Sequence, residues 1–103
     1  MLDTFRIALG QLNQSVGDIG ANADSILAAR REVRDADLVV FPELHLIGYP
    51  PEDLVLKPAL VEKAAAQLER LAEASGDDGP AMLVGSAFVR DGALHNGVAL
   101  LDQ

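Results

Sequence analysis

The sequence has no cysteine and no tryptophan. Without thiols these residues hold no disulfide framework, no thiolate metal site and no thiol nucleophile. Aromatic residues are few, three Phe and one Tyr, so any core must be built from Leu, Val, Ile and Ala. Positive charge is also scarce. Eight Lys and Arg against sixteen Asp and Glu give a formal charge of -8, which repels phosphate backbones and anionic lipid and argues against nucleic acid or membrane as partner. The arginines Arg30, Arg31 and Arg34 share one predicted helix with Glu32 and Asp35 and read as a solvated face. No stretch approaches the ~20 apolar residues that a spanning helix needs, and MLDTFRIALG is too short an apolar run for a secretory leader. A cytoplasmic location is the expectation.

Half of the 103 residues are hydrophobic, enough for one packed domain. FRIALGQL (5–12) reads as a strand, and Asn13 to Gly20 as a loop. Between Gly20 and Asp35, Ala23, Ile26, Leu27, Arg30 and Val33 recur at helical spacing, with Asp18 or Asn22 as cap. Leu38 to Phe41 is a continuous apolar run, the mark of a strand covered on both faces. In GYPPEDLVLKP the prolines hold Tyr49 and Lys57 extended, and Pro51 with Glu52 and Asp53 opens a short helical turn. Pro58 starts a second long helix with Val61, Ala64, Ala65, Leu68, Leu71 and Ala72 inward, ending at Gly76. Residues 81–89 form a buried strand, Arg90-Asp91-Gly92 a tight turn, and residues 93–102 its antiparallel partner. The order β-α-β-(loop)-α-β-β predicts an α/β layer, one sheet with two long helices on it. Two helices cover one face only, so the other face is expected to expose an apolar patch.

Glu43 is the residue that demands an account. It follows four apolar residues and a proline, at the carboxyl end of a predicted parallel strand, where open α/β sheets place ligands. Burial against Phe41 and Leu44 would raise its pKa and make it a useful base. The structural alternative is an ion pair with an arginine or a helix cap. His45 and His95 read as structural histidines. Gly17-Asp18-Ile19-Gly20 lacks both GxGxxG and the phosphate-loop lysine, so helix entry explains it better than phosphate binding. Ser86 lies inside a strand with no nucleophile-elbow context.

FPELHLIGYPPEDL resembles the strand-loop signature of the nitrilase (carbon-nitrogen hydrolase) superfamily. The extension GYPPEDLVLKP is similar to the form found in the glutaminase domains of glutamine-dependent NAD synthetases. IALGQLNQSVGDIGANADSI resembles the family's first strand and helix entry, and LHNGVALL its later "YNSA" strand. The resemblance implies a portion of an α-β-β-α sandwich and a Glu-Lys-Cys triad in which Glu43 is the general base. Lys57 belongs to the LKP element and does not supply the triad lysine. By position in the motif, Tyr49 either lines the glutamine pocket or forms an aromatic lid over the loop. Residues 1–103 are then the N-terminal portion of a glutaminase domain, inactive alone for want of the cysteine. Glutamine, the remainder of the domain and a synthetase domain using ATP and Mg are the implied partners. These residues hold no cofactor of their own, and the complete enzyme is a homo-oligomer. Another carbon-nitrogen hydrolase, such as an amidase, and a non-catalytic α/β interaction module remain the alternatives.

Overall fold

The computed structural model describes residues 4–102. Strand β1 (Ile7–Leu9) leads into helix α1 (Ile19–Glu32) and strand β2 (Leu38–Val40). A 3₁₀ turn (Glu52–Leu56) precedes helix α2 (Pro58–Ala74), and strands β3 (Ala81–Arg90) and β4 (Ala93–Leu101) follow. The sheet order is β1-β2-β3-β4, parallel in the first two pairings and antiparallel in the last. This is the expected element order.

Local chemistry accounts for the element ends. Asp18 caps α1, its carboxylate accepting from the Ala21 amide, while Pro58 stands at the start of α2, where its missing N–H costs nothing. Lys57 is extended ahead of it (φ -84°, ψ 119°), as a residue before proline should be. The β3–β4 turn places Asp91 and Gly92 at positive φ, the pairing that suits a two-residue hairpin. The first two strands are shorter than the apolar runs suggest, three residues each. Pairing nevertheless continues past both ends: Gly10 N–H donates to Val40 O, and Phe41 N–H to Leu83 O.

Both helices pack on one face of the sheet. Ala23 and Ile26 of α1 and Ala64, Leu68 and Leu71 of α2 share a core with Val39, Met82 and Val84. Ala65 was expected on that inner stripe but is exposed. Neither helix covers the opposite face. Cross-strand neighbours Leu9, Val40, Leu83 and Leu100 form one apolar row, with Ile7, Leu38 and Ala81 beside it on one side and Val98 on the other. Ile7, Leu9, Val98 and Leu100 are each more than half exposed. The expectation that Leu38 to Phe41 is covered on both faces therefore fails at Leu38 and Val40, which the helices do not reach, whereas the expected apolar patch is present.

The arginine reading also needs correcting. Arg31 and Arg34 face outward, but Arg30 is only 3% exposed. It sits one turn beyond Ile26 on the inward stripe. Its Nε donates to Pro80 O (2.8 Å) and its Nη1 to Ala74 O (3.3 Å), while Nη2 meets the Asp77 carboxylate at 2.6 Å. A single guanidinium thus ties α1 to the end of α2 and to the turn before β3, which a mere helix-stripe pattern does not reveal.

Three outcomes follow. The chain by itself should bind an apolar-surface dye and associate as concentration rises, and Leu9→Lys with Leu100→Lys should reduce both; a compact, dye-negative monomer in sedimentation would contradict the bare face. Removing the staple by Arg30→Met should cost about 2–3 kcal/mol in urea denaturation. Asp77 is held well below the ordinary aspartate value of 3.8, first by the Arg30 hydrogen bond and then by the Gly79 amide. Its stabilising contribution is therefore complete above that value and lost as pH falls through the lower folded one. Asp77→Asn should destabilise the chain at pH 7 and lose its effect progressively below about pH 4, read from paired denaturation curves.

Candidate active site

The carboxyl ends of β1 and β2 open into two loops, 10–18 and 41–51, and the site is what these loops enclose. Their joint is Asn22. Expected as a possible helix cap, it is instead buried on α1 and reaches between the loops. Its Nδ2 donates to Ser15 O (2.8 Å) and Leu46 O (2.9 Å), and its Oδ1 accepts from Ser15 N–H (2.9 Å). Gly17 N–H donates to Ile47 O (2.9 Å), adding a backbone stitch. At Gly48 the chain adopts φ +89°, and a Cβ there would lie 2.6 Å from Val16 Cα. Only glycine lets the loops approach so closely.

The second loop is also pressed onto β3. Leu46 N–H donates to Gly85 O (3.0 Å), and a Cβ on Gly85 would collide with Pro42 O and lie 2.7 Å from Leu44 N. Leu44 itself is left-handed (φ 52°), a conformation that costs a branched residue of order 1 kcal/mol and persists only where surroundings enforce it. Here the enforcement comes from a buried leucine side chain and from Gly48 N–H bonding back to Leu44 O (3.0 Å). Glu43 lies at the crest of this tight bend.

Contrary to expectation, the Glu43 side chain is exposed rather than buried against Phe41 and Leu44. It is paired with no arginine or lysine among the described residues, which removes the ion-pair alternative. Its Oε2 accepts from Asn96 Nδ2 on β4 at 2.5 Å. Glu43 lines an open recess of about 390 Å³ with Leu12, Asn13, Gln14, Pro42, His45 and Tyr49. Both residues singled out from sequence, Glu43 and Tyr49, therefore share one recess. Tyr49 is largely exposed at its rim, and the following Tyr49–Pro50 bond is cis.

His45 is buried and stacks on Phe41 with ring centroids 5.4 Å apart. Burial pushes its pKa below 6.5, so the ring is neutral at pH 7. Its Nε2 and Gln14 Oε1 are buried without a hydrogen-bond partner among the described residues, and both residues line the recess. The Gln14 amide donates to Asn22 O and His45 O. Sequence reasoning missed Gln14, Asn22 and Asn96. For Asn96 the available sign was a polar Asn-Gly pair inside an otherwise apolar strand. His95 lies on the exposed hairpin, away from this recess.

The carbon-nitrogen hydrolase family model matches residues 6–103. The chain belongs to the carbon-nitrogen hydrolase family. The glutamine-dependent NAD(+) synthetase of Rhodobacter capsulatus is 46% identical over 98 residues, covering 93% of this chain and 18% of that protein. Among solved structures, the glutamine-dependent NAD(+) synthetase from Cytophaga hutchinsonii matches with a TM-score of 0.87 at 28% identity, over 97% of this chain and 17% of that one. An amidase from Nesterenkonia sp. matches with a TM-score of 0.70 at 30% identity, over 91% of this chain and 36% of the amidase. Another matching structure, of a mutant of the amidase from Nesterenkonia sp. AN1, shows covalent addition at that protein's active-site cysteine. This carbon-nitrogen hydrolase chain thus spans less than a fifth of the length of the two synthetases. Its single four-stranded sheet with two helices is the nitrilase-type α/β layer expected from sequence.

If Asn22 is the joint between the loops, Asn22→Ala should destabilise the chain by about 2 kcal/mol in denaturant titration. Hydrogen exchange at the Ser15 amide should accelerate more than at the amides of the central strands. Equal acceleration everywhere would mean that Asn22 serves general stability and not the recess.

Proposed function

We propose that this chain is the N-terminal part of the glutamine-hydrolysing domain of a glutamine-dependent NAD synthetase, and that Glu43 is its general base. The observation that carries this reading is Glu43 itself. A carboxylate on an enforced bend at the end of a parallel strand borders a recess, has no cation beside it among the described residues, and is hydrogen-bonded by a neutral amide. An outlier backbone at such a point supports a functional assignment, and the 46% identity to a synthetase supports its class.

In this reading residues outside the 103 supply a cysteine and a lysine. Glu43 accepts the thiol proton through its carboxylate, and the thiolate attacks the carboxamide carbon of glutamine. The lysine stabilises the oxyanion, the C–N bond breaks, and the proton passes from Glu43 to the departing ammonia. Glu43 then takes a proton from water as the hydroxyl cleaves the thioester, releasing glutamate and restoring the thiol. Tyr49 stands at the rim as a substrate contact. ATP and magnesium serve a separate synthetase domain that amidates deamido-NAD with this ammonia, and the whole enzyme is a homo-oligomer. Among the described residues no group of three or more His, Asp or Glu side chains is placed to hold a metal ion.

The bare sheet face belongs to the same proposal. Its apolar row crosses the strands at Val40, the last residue of β2, and a second sheet laid on it would both bury that row and bring a nucleophile over the recess.

The purified chain should release no ammonia from glutamine. In the longer protein containing these residues with the lysine and cysteine, ammonia should appear, and Glu43→Gln should lower its rate by ~10²- to 10⁴-fold. Undiminished release in Glu43→Gln would leave only the interaction-module reading for these residues. Turnover of simple aliphatic amides in place of glutamine would move the assignment to an amidase.

A further inference from the structure

We infer that Asn96 is a positioning residue for the Glu43 carboxylate, fixing which oxygen is free to receive the proton. The inference rests on the assignment of Glu43 as base and adds a residue to that site.

Strand β2 ends at Val40, opposite Leu83, whereas β3 and β4 continue as a hairpin well past that point. The overhanging arms form a side wall along which loop 41–51 runs. Two features of that wall let the loop settle. Gly85 leaves room for Pro42 O and Leu44 N, and Ala87, the next residue on the same side of β3, is small and buried. Asn96 is the cross-strand partner of Ala87, so its side chain emerges on the side where the loop lies. It meets Glu43 Oε2 at 2.5 Å.

An exposed carboxylate on a flexible side chain samples several rotamers, and proton transfer requires one oxygen within hydrogen-bond reach of its donor. The Asn96 amide occupies Oε2 and leaves Oε1 to the recess. Being neutral, it orients the carboxylate without competing as a counter-ion. The carboxylate is also acceptor-only when ionised, so an amide N–H suits it and an aliphatic side chain of the same size does not.

The test is a double-mutant cycle in the longer glutamine-hydrolysing protein. Asn96→Leu keeps the size and removes the donor. It should lower kcat for glutamine hydrolysis by about 10- to 100-fold, the range expected for a hydrogen bond to a charged group that sets reactive geometry, with KM changed less than about threefold. In the Glu43→Gln background the same substitution should cost almost nothing, because Asn96 acts only through the carboxylate. Thermal midpoints of both single variants should stay within a few degrees of the parent, as both residues are exposed. If Glu43→Gln abolishes hydrolysis while Asn96→Leu is harmless, or if the two losses multiply independently, the positioning role is wrong and the base assignment stands. If Glu43→Gln is itself harmless, the base assignment fails first.

Discussion

The recess depends on two loops held together from beneath, and the buried side chain of Asn22 makes three of the hydrogen bonds that hold them. Asn22 offers a donor and an acceptor to the Ser15 backbone and a second donor to Leu46 O. Without it the carbonyls of both loops would lie beneath α1 with fewer partners, an arrangement a low-dielectric interior penalises. Helix α1 thereby acts as a clamp as well as a cover. Its core-facing stripe holds the sheet, and one polar position on that stripe holds the loops. The Arg30 staple does the same at the other end of α1, for the turn that launches β3. Each buried polar group on this helix is hydrogen-bonded across elements, which is why both are tolerated inside.

Glu43 inherits its placement from those ties. The loop that carries it is pinned to the neighbouring loop at Gly17 and Ile47 and to β3 at Gly85. The residue that follows it is forced into the left-handed region. Its carboxylate is then aimed by a fourth strand. The proposed role of general base asks for defined direction more than deep burial; the backbone constraint and one amide give the Glu43 carboxylate that direction, while the side chain stays exposed.

Much of this was legible in the sequence, and the limits have physical reasons. Element order followed from periodicity, because a 3.6-residue stripe and a run of branched apolar residues leave few alternatives. The bare face was legible from counting: two helices, one sheet, and apolar residues at both parities of each strand. Glu43 and Tyr49 were reached through the motif that contains them, and both border the recess. What was not legible were the long-range polar contacts. Arg30 looks like any helix arginine until Pro80 and Asp77 are folded beneath it, fifty and forty-seven residues away. Asn22 looks like a cap because a cap also needs a short polar side chain near a helix start. Burial of Glu43 was overestimated, since the flanking Phe41 and Leu44 turn inward on a bend whose crest faces out.

The most direct measurement is a structure of the longer protein with a glutamine-derived thioester trapped in it. The account predicts a Glu43 carboxylate oxygen within about 3–3.5 Å of the nucleophile sulfur or of the water that will cleave the ester, with the other oxygen on Asn96. A Glu43 carboxylate engaged by a guanidinium, or separated from the sulfur by more than about twice that reach, would contradict it.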